Sequence, residues 1–220
     1  MSKTGADKEI GWQAQKSAMT RERILNAAID CFIKEGYNRM TTAKVASNAG
    51  VSRGAMLHHF PSKTELIQAT VEYLHEQLIA DFTERVNKIP ARLQGAARRR
   101  AGLDAYWDHL TGDLFIAYHE LCVAGRTDEE LGRILKSSQR SFEQHVAESN
   151  GELFSEWNDR GELFLLAMDL TKFLMEGMAL GQMTSNRDKR IKRMMDYLGD
   201  RLEEIFESDA DAAVSRHSAG

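Results

Sequence analysis

The sequence predicts an all-α protein, and three observations carry that reading. Apolar residues recur at three- and four-residue spacing almost throughout the 220 residues, and no stretch alternates apolar with polar as a half-buried strand would. The two prolines, Pro61 and Pro90, fall between the periodic segments. With 42% apolar content the chain can bury a sizeable core. No run approaches the roughly 18 uncharged apolar residues that a membrane span needs, and the opening MSKTGADKEIGWQAQKSAMT carries no hydrophobic leader, so a cytoplasmic protein is expected. Cys31 and Cys122 stand far apart without ligand spacing, which points to free thiols in a reducing compartment.

In chain order, residues 1–19 lack an apolar stripe and are expected to form a flexible arm. The first helix is predicted from Thr20 to Glu35, with Ile24, Ala28 and Phe32 on one face and Gly36 suited to a left-handed stop. A short helix follows over Thr42–Ala49, then a tight Gly50-Val51 turn, then a second short helix that Ser52 caps and that runs through Phe60. This is a helix-turn-helix. Gly50 supplies the positive φ of the turn, Val51 fills the crease, and Ala46 is small enough for the helices to approach. So short a second helix cannot stand alone, which makes Phe60, Leu66 and Ile33 the expected anchors.

Pro61 separates a longer helix, opened by the capping box Ser62-Lys63-Thr64-Glu65 and carried by the stripe Ile67, Val71, Leu74, Leu78 and Phe82 until near Pro90. Further helices are predicted at Ala91–His109, at Asp113–Ala124, and from the cap Thr127-Asp128-Glu129-Glu130 through Val146. The last two cover Asp159–Gln182 and, from the cap Ser185-Asn186-Arg187-Asp188, the stripe Ile191, Met195, Leu198, Leu202 and Ile205. Residues 208–220 read as a flexible tail. The predicted organisation is therefore a helix-turn-helix domain over 20–66 and a helical body over 67–207.

Charge is divided unevenly along the chain. The net charge is −4, yet residues 1–63 hold ten Lys/Arg against five Asp/Glu, while the remainder holds 19 against 28. A basic head on an acidic body suits a polyanion partner, because phosphate contacts need Lys and Arg. Thr41, Thr42, Lys44, Ser52, Arg53 and Lys63 supply donors around the short helix pair, and Ala55, Met56, Leu57 and His58 complete the candidate surface of its second helix. His58 and His59 are adjacent, so they point about 100° apart and cannot both ligate one metal. One is expected to face outward while the other packs near Pro61. No metal site, catalytic residue or cofactor is expected.

The stretch TRERILNAAIDCFIKEGYNRMTTAKVASNAGVSRGAMLHHFPSKTELIQATVEYL (20–74) resembles the DNA-binding domain of the TetR family of bacterial transcriptional regulators. Ile24, Phe32, Gly36, Tyr37, Thr42, Val45, Ala46, Gly50, Val51, Ser52, Gly54, His59, Phe60, Lys63 and Leu66 fall where the family pattern has comparable residues. The resemblance departs at Leu57, where family members usually carry a tyrosine that touches the DNA backbone. That contact would fall to Arg53, His58 or Lys63. The resemblance implies an N-terminal three-helix DNA-binding domain joined to a larger C-terminal helical domain that dimerises and binds a small effector. It also implies a homodimer on a palindromic operator of double-stranded DNA, released by that effector.

For the effector, expected to be apolar or amphipathic, the candidate lining is Trp107, Tyr118, Cys122, Phe142, Phe164, Met168 and Phe173. For the dimer, small residues amid large ones on the penultimate helix permit close approach, so Leu170, Leu174, Gly177, Met178 and Gly181 are candidates, with Ile191, Met195, Leu198 and Leu202 of the last helix. An intramolecular core contact is the alternative for this set. Arg98-Arg99-Arg100 reads as a solvated helix face, with salt bridges to acidic ligands or to the neighbouring reading head as the alternative. Two other classes stay open: an architectural DNA-binding protein without an effector, and a helical-bundle enzyme, for which no nucleotide, hydrolase or metalloprotease motif is present.

Overall fold

The computed structural model describes residues 5–153, 161–184 and 188–217, and the regular structure among them is helical. The helices are α1 (Gly5–Glu35), α2 (Thr42–Asn48), α3 (Arg53–His59), α4 (Lys63–Asn87), α5 (Gly95–Leu110), α6 (Asp113–Ala124), α7 (Glu129–Leu153), α8 (Gly161–Gln182) and α9 (Asp188–His217). A 3-10 turn, Tyr37–Arg39, joins α1 to α2. The chain divides into two compact units, Met1–Leu78 with Asp113–Phe142, and Ile79–Gly112 with Glu143–Gly220. The expected boundary at 66/67 is thus replaced by three crossings, because the acidic start of α7 and all of α6 pack with the head.

In the first unit, Ile24, Ala28 and Phe32 of α1 are fully buried, as their i, i+4 spacing predicts. Phe60 and Leu66 join that core, whereas Ile33 is half-buried. Gly36 ends α1 with φ 79°, a conformation that favours glycine, and a Cβ there would push aside the Glu120 carboxylate. The helix begins at Gly5, not Thr20, so the segment expected as a flexible arm continues α1, with residues 12–19 almost wholly exposed. Ser62 caps α4 as its sequence predicts: its Oγ accepts from Glu65 N at 3.1 Å and donates to Glu65 Oε1 at 3.1 Å. On α7 the cap is one residue later than expected. Asp128 Oδ1 accepts from Leu131 N at 3.0 Å, while Thr127 Oγ1 donates back to Ala124 O at 3.3 Å.

In the second unit, α5, α8 and α9 pack together around Leu103, Leu110, Met175, Ala179, Ile191, Met195, Leu198 and Leu202. Residues 90–93 close a turn through Leu93 N to Pro90 O (2.9 Å), which delays α5 to Gly95. Arg99 and Arg100 are not a solvated face: they form ion pairs with Glu203 and Asp196 on α9, and the Arg99 guanidinium stacks 3.9 Å from the Phe206 ring. The α9 helix runs to His217, past the point where a tail was expected. The cap predicted at 185–187 and the start of α8 at 159–160 lie outside the described residues.

Candidate nucleic-acid interface

The helix-turn-helix is built by local hydrogen bonds that its residue types dictate. Thr41 Oγ1 accepts from Lys44 N at 3.3 Å and caps α2. Gly50 adopts φ 62°, which lets Val51 N reach back to Ala46 O at 3.0 Å and turns the chain. Ser52 Oγ then accepts from Ala55 N at 3.1 Å and starts α3. Val45, Ala46 and Ala49 are buried beneath the pair, so the remaining faces are presented outward.

Those faces carry most of the expected contact set. Thr41, Lys44, Ser52, Arg53, Leu57, His58 and Lys63 are exposed, and Thr42 and Ala55 are half-buried. Met56 is a correction: it is 2% exposed, because it precedes the buried Phe60 by one helical turn and shares its inward face, so it cannot meet a ligand. Lys44 is less available than its sequence position suggests, since its ammonium pairs with Glu35 and donates to Arg39 O at 3.3 Å. The two histidines part as expected. His58 faces solvent, while His59 is half-buried, edge-on to His58 at 5.6 Å. Burial lowers the His59 pKa, with the charges of His58 and Arg21 adding to it.

A clamp that sequence reasoning missed fixes this head onto the rest of its unit. Tyr37 N donates to Glu120 Oε1 of α6 at 3.0 Å, and Tyr37 Oη donates to Asp128 Oδ2 at the start of α7 at 2.8 Å. Burial first, and then the bond to Asp128, push the Tyr37 phenol well above its ordinary pKa, so it stays a donor. Thr64 Oγ1 adds a bond to Glu130 Oε1 at 2.7 Å, and the Lys63 ammonium lies 5.7 Å from the Tyr37 ring centre. The hydrogen-bonded partners are 66 to 91 residues apart. Local periodicity carries no trace of them; the one sequence signal was the acidic run 128–130 facing a basic head.

The residues expected to line an effector pocket do not fall in one unit. Tyr118 and Phe142 belong to the first unit, where both rings flank His75 of α4, stacked (4.1 Å, Phe142) and edge-on (5.4 Å, Tyr118), and where Tyr118 Oη donates to Gln139 Oε1 at 3.1 Å. His75 is 6% exposed, burial lowers its pKa to about 4, and its Nε2 has no hydrogen-bond partner among the described residues. Cys122 is half-buried on α6. Trp107, Phe164, Met168 and Phe173 belong to the second unit. Trp107 borders an open depression of about 330 Å³ with Arg100, Asp104 and Lys192.

Phe173 is 68% exposed and borders another open depression, of about 300 Å³, with Leu174, Gly177, Met178 and Gly181. It lies with Leu165, Leu166 and Leu170 on an uncovered apolar face of α8, so it is withdrawn from the pocket set and grouped with the interface candidates. Ile191, Met195, Leu198 and Leu202 move the other way. All four are buried inside the protomer because the apolar stripe of α9 packs on α5 and α8, which was the intramolecular alternative.

The geometry defines a class: a helix-turn-helix module, capped at both short helices and clamped to α6 and the start of α7 in its own unit. The model of the family described as bacterial regulatory proteins, tetR family, matches residues 24–70. An uncharacterized HTH-type transcriptional regulator of Mycobacterium bovis is 34% identical over 125 residues, which are 57% of this chain and 63% of that relative. The nucleoid occlusion factor SlmA of Klebsiella pneumoniae is 31% identical over 170 residues, 72% of this chain and 80% of that protein. A TetR-family regulator structure from Mesorhizobium loti shares the fold with a TM-score of 0.63 at 21% identity, covering 87% of this chain and 95% of its own. The chain belongs to the TetR family of bacterial regulatory proteins. Among the described residues no helix is long and apolar enough to cross a membrane.

Proposed function

We propose that the chain is a sequence-specific DNA-binding transcriptional regulator acting as a homodimer in the cytoplasm, with α3 as its reading helix. The observation that carries this is the outward face of α3, where the Ser52-capped first turn offers Arg53 and the next turn Leu57 and His58, all exposed on a buried base. Two such helices would enter successive major grooves about 34–36 Å apart on a pseudo-palindromic operator and repress by occlusion. Leu57 leaves an apolar contact where relatives place a phenol, so backbone positioning passes to Lys63, Ser52 and His58. The face of α8 around Leu170, Phe173, Leu174, Gly177, Met178 and Gly181 supports the dimer, since exposed apolar area beside glycine suits close helix packing.

An effector-responsive regulator is supported by His75. A buried, neutral imidazole with an unpartnered nitrogen between two aromatic rings suits an amphipathic molecule that offers one polar atom. Effector-free DNA organisation is the second reading, favoured by the similarity to a nucleoid occlusion factor. No catalytic role is part of the proposal.

Fluorescence anisotropy with the DNA upstream of the chain's own gene, against a scrambled duplex at two salt concentrations, tests it. A preference of two or more decades is expected, and Arg53→Ala should remove about 1–3 kcal/mol of it if Arg53 reads a guanine. Equal binding to both duplexes would favour the architectural reading.

A further inference from the structure

Among the described side chains, residues 12–19 of α1 are left unburied by the rest of the chain. The family's matched region begins at residue 24, and the helix core begins with Ile24, yet α1 starts at Gly5. Over residues 12–19 every side chain is exposed, including Trp12 at 61% and Met19 at 64%. A helix of this length is marginal in water without a partner, so large apolar side chains on it call for a surface outside the protomer.

The pattern of the exposed face says which surface. Trp12, Lys16, Met19 and Arg23 are spaced by four, three and four residues, which places them within about 60° of one another around the helix. The Lys16 ammonium lies 5.2 Å from the Trp12 ring centre, so charge and ring are presented together. No acidic residue interrupts this set, and Asn26 continues it by one more turn. Cations interleaved with flat or flexible apolar groups match a sugar-phosphate backbone, where Lys and Arg meet phosphates and the apolar groups rest on deoxyribose. Arg21 lies on the opposite side of α1 from the stripe, with its guanidinium 4.7 Å from the ring of Phe60 at the end of α3, so the helix-turn-helix packs against the other face and the stripe is left open along its length. From Arg23 back to Gly5 the helix extends about 27 Å at 1.5 Å per residue, enough to follow about eight base-pair steps.

We propose that the amino-terminal part of α1 is a second, sequence-independent DNA-contacting element, in which Trp12, Lys16, Met19 and Arg23 lie along the phosphodiester backbone outside the groove that α3 reads. This rests on the reading of α3 as a DNA-binding helix. It adds affinity and length to the footprint without adding sequence preference, because it touches no base edge.

The test uses the full chain and the double variant Trp12→Ala/Lys16→Ala, on a random-sequence 40-bp duplex across a series of salt concentrations. Thermal unfolding of the double variant should match the parent, since neither side chain is buried. Its affinity should fall about tenfold at low salt, and the slope of log K against log salt should shrink by about one phosphate contact. An Arg53→Ala control separates the failures. If the parent binds no duplex, the reading of α3 fails; if the parent and Arg53→Ala behave as DNA binders while the double variant keeps parental affinity and slope, this inference alone is overturned. It is equally overturned if the double variant leaves the salt slope unchanged but lowers the solution mass, which would make the stripe a contact between copies. Loss of binding to phosphatidylserine vesicles with an unchanged slope would assign the stripe to a membrane surface instead and overturn it too.

Discussion

The two units turn opposite chemistry toward solvent. In the first, the outward face of the short helices and the start of α4 carry Arg53, His58, Lys63 and two capping hydroxyls over a base of Val45, Ala46 and Met56. In the second, α8 exposes Leu165, Leu166, Leu170 and Phe173 while its buried face holds Ala167, Met175 and Ala179. A face of hydrogen-bond donors can stay hydrated until a polyanion displaces water and counterions. A run of exposed large apolar side chains on one helix face gains instead from losing its water to another apolar surface. The difference teaches that the two exposed faces suit different partners: the first a polyanion, the second, on the proposed reading, another copy of the chain.

The largest expected effect separates the two faces of that second core. Leu198→Ala, at a fully buried position of α9, should cost about 2–5 kcal/mol in urea unfolding because it leaves a cavity beside α5 and α8. Phe173→Ser should leave the unfolding of a dilute protomer within about 0.5 kcal/mol and instead shift the sedimentation mass from dimer toward monomer. If the mass does not change, the apolar face of α8 is not where copies meet, and the contrast between the units loses its second half.

A pH measurement probes the first unit. Burial holds the His75 pKa at about 4, below the ordinary value of 6.5, so below pH 6.5 the unfolded chain binds a proton that the folded chain refuses. Stability from this residue is therefore intact above pH 6.5 and declines as pH falls toward 4, by up to about 3 kcal/mol. His75→Phe should flatten that decline while keeping the stack on Phe142. An unchanged slope between pH 6.5 and 4 would mean that His75 is solvated and not the unpartnered group that makes it attractive as a ligand contact.

How far each region could be read from sequence follows from the range of its interactions. The caps at Ser52 and Ser62, the Gly50 turn and the burial of Ile24, Ala28 and Phe32 are all set within four residues, and they came out as the residue types demand. Met56 was misplaced because a seven-residue helix has no periodicity long enough to tell its inner from its outer face. The apolar stripe of α9 was legible, but its partner was not: the same i, i+3, i+4 pattern serves a partner subunit or α5 of its own chain. The Tyr37 clamp and the Arg99 and Arg100 pairs depend on carboxylates 83 to 104 residues away, and nothing local announces them.

The smallest effect is the most discriminating for the reading head, because it separates stability from recognition at one atom. Ser52 Oγ both caps α3 and sits on the face offered to DNA. Ser52→Ala should cost about 1 kcal/mol through the lost cap. Ser52→Asp keeps an acceptor for the Ala55 amide and places a negative charge at the positive end of the helix, so it should unfold later than the alanine variant. Against DNA the order should invert, since a carboxylate at that end of α3 repels phosphates. Binding by the aspartate variant at least as tight as by the alanine variant would move the duplex away from the first turn of α3 and toward Leu57, His58 and Lys63. The cap would then be a purely internal device, and Arg53 would lose its claim as the reading residue.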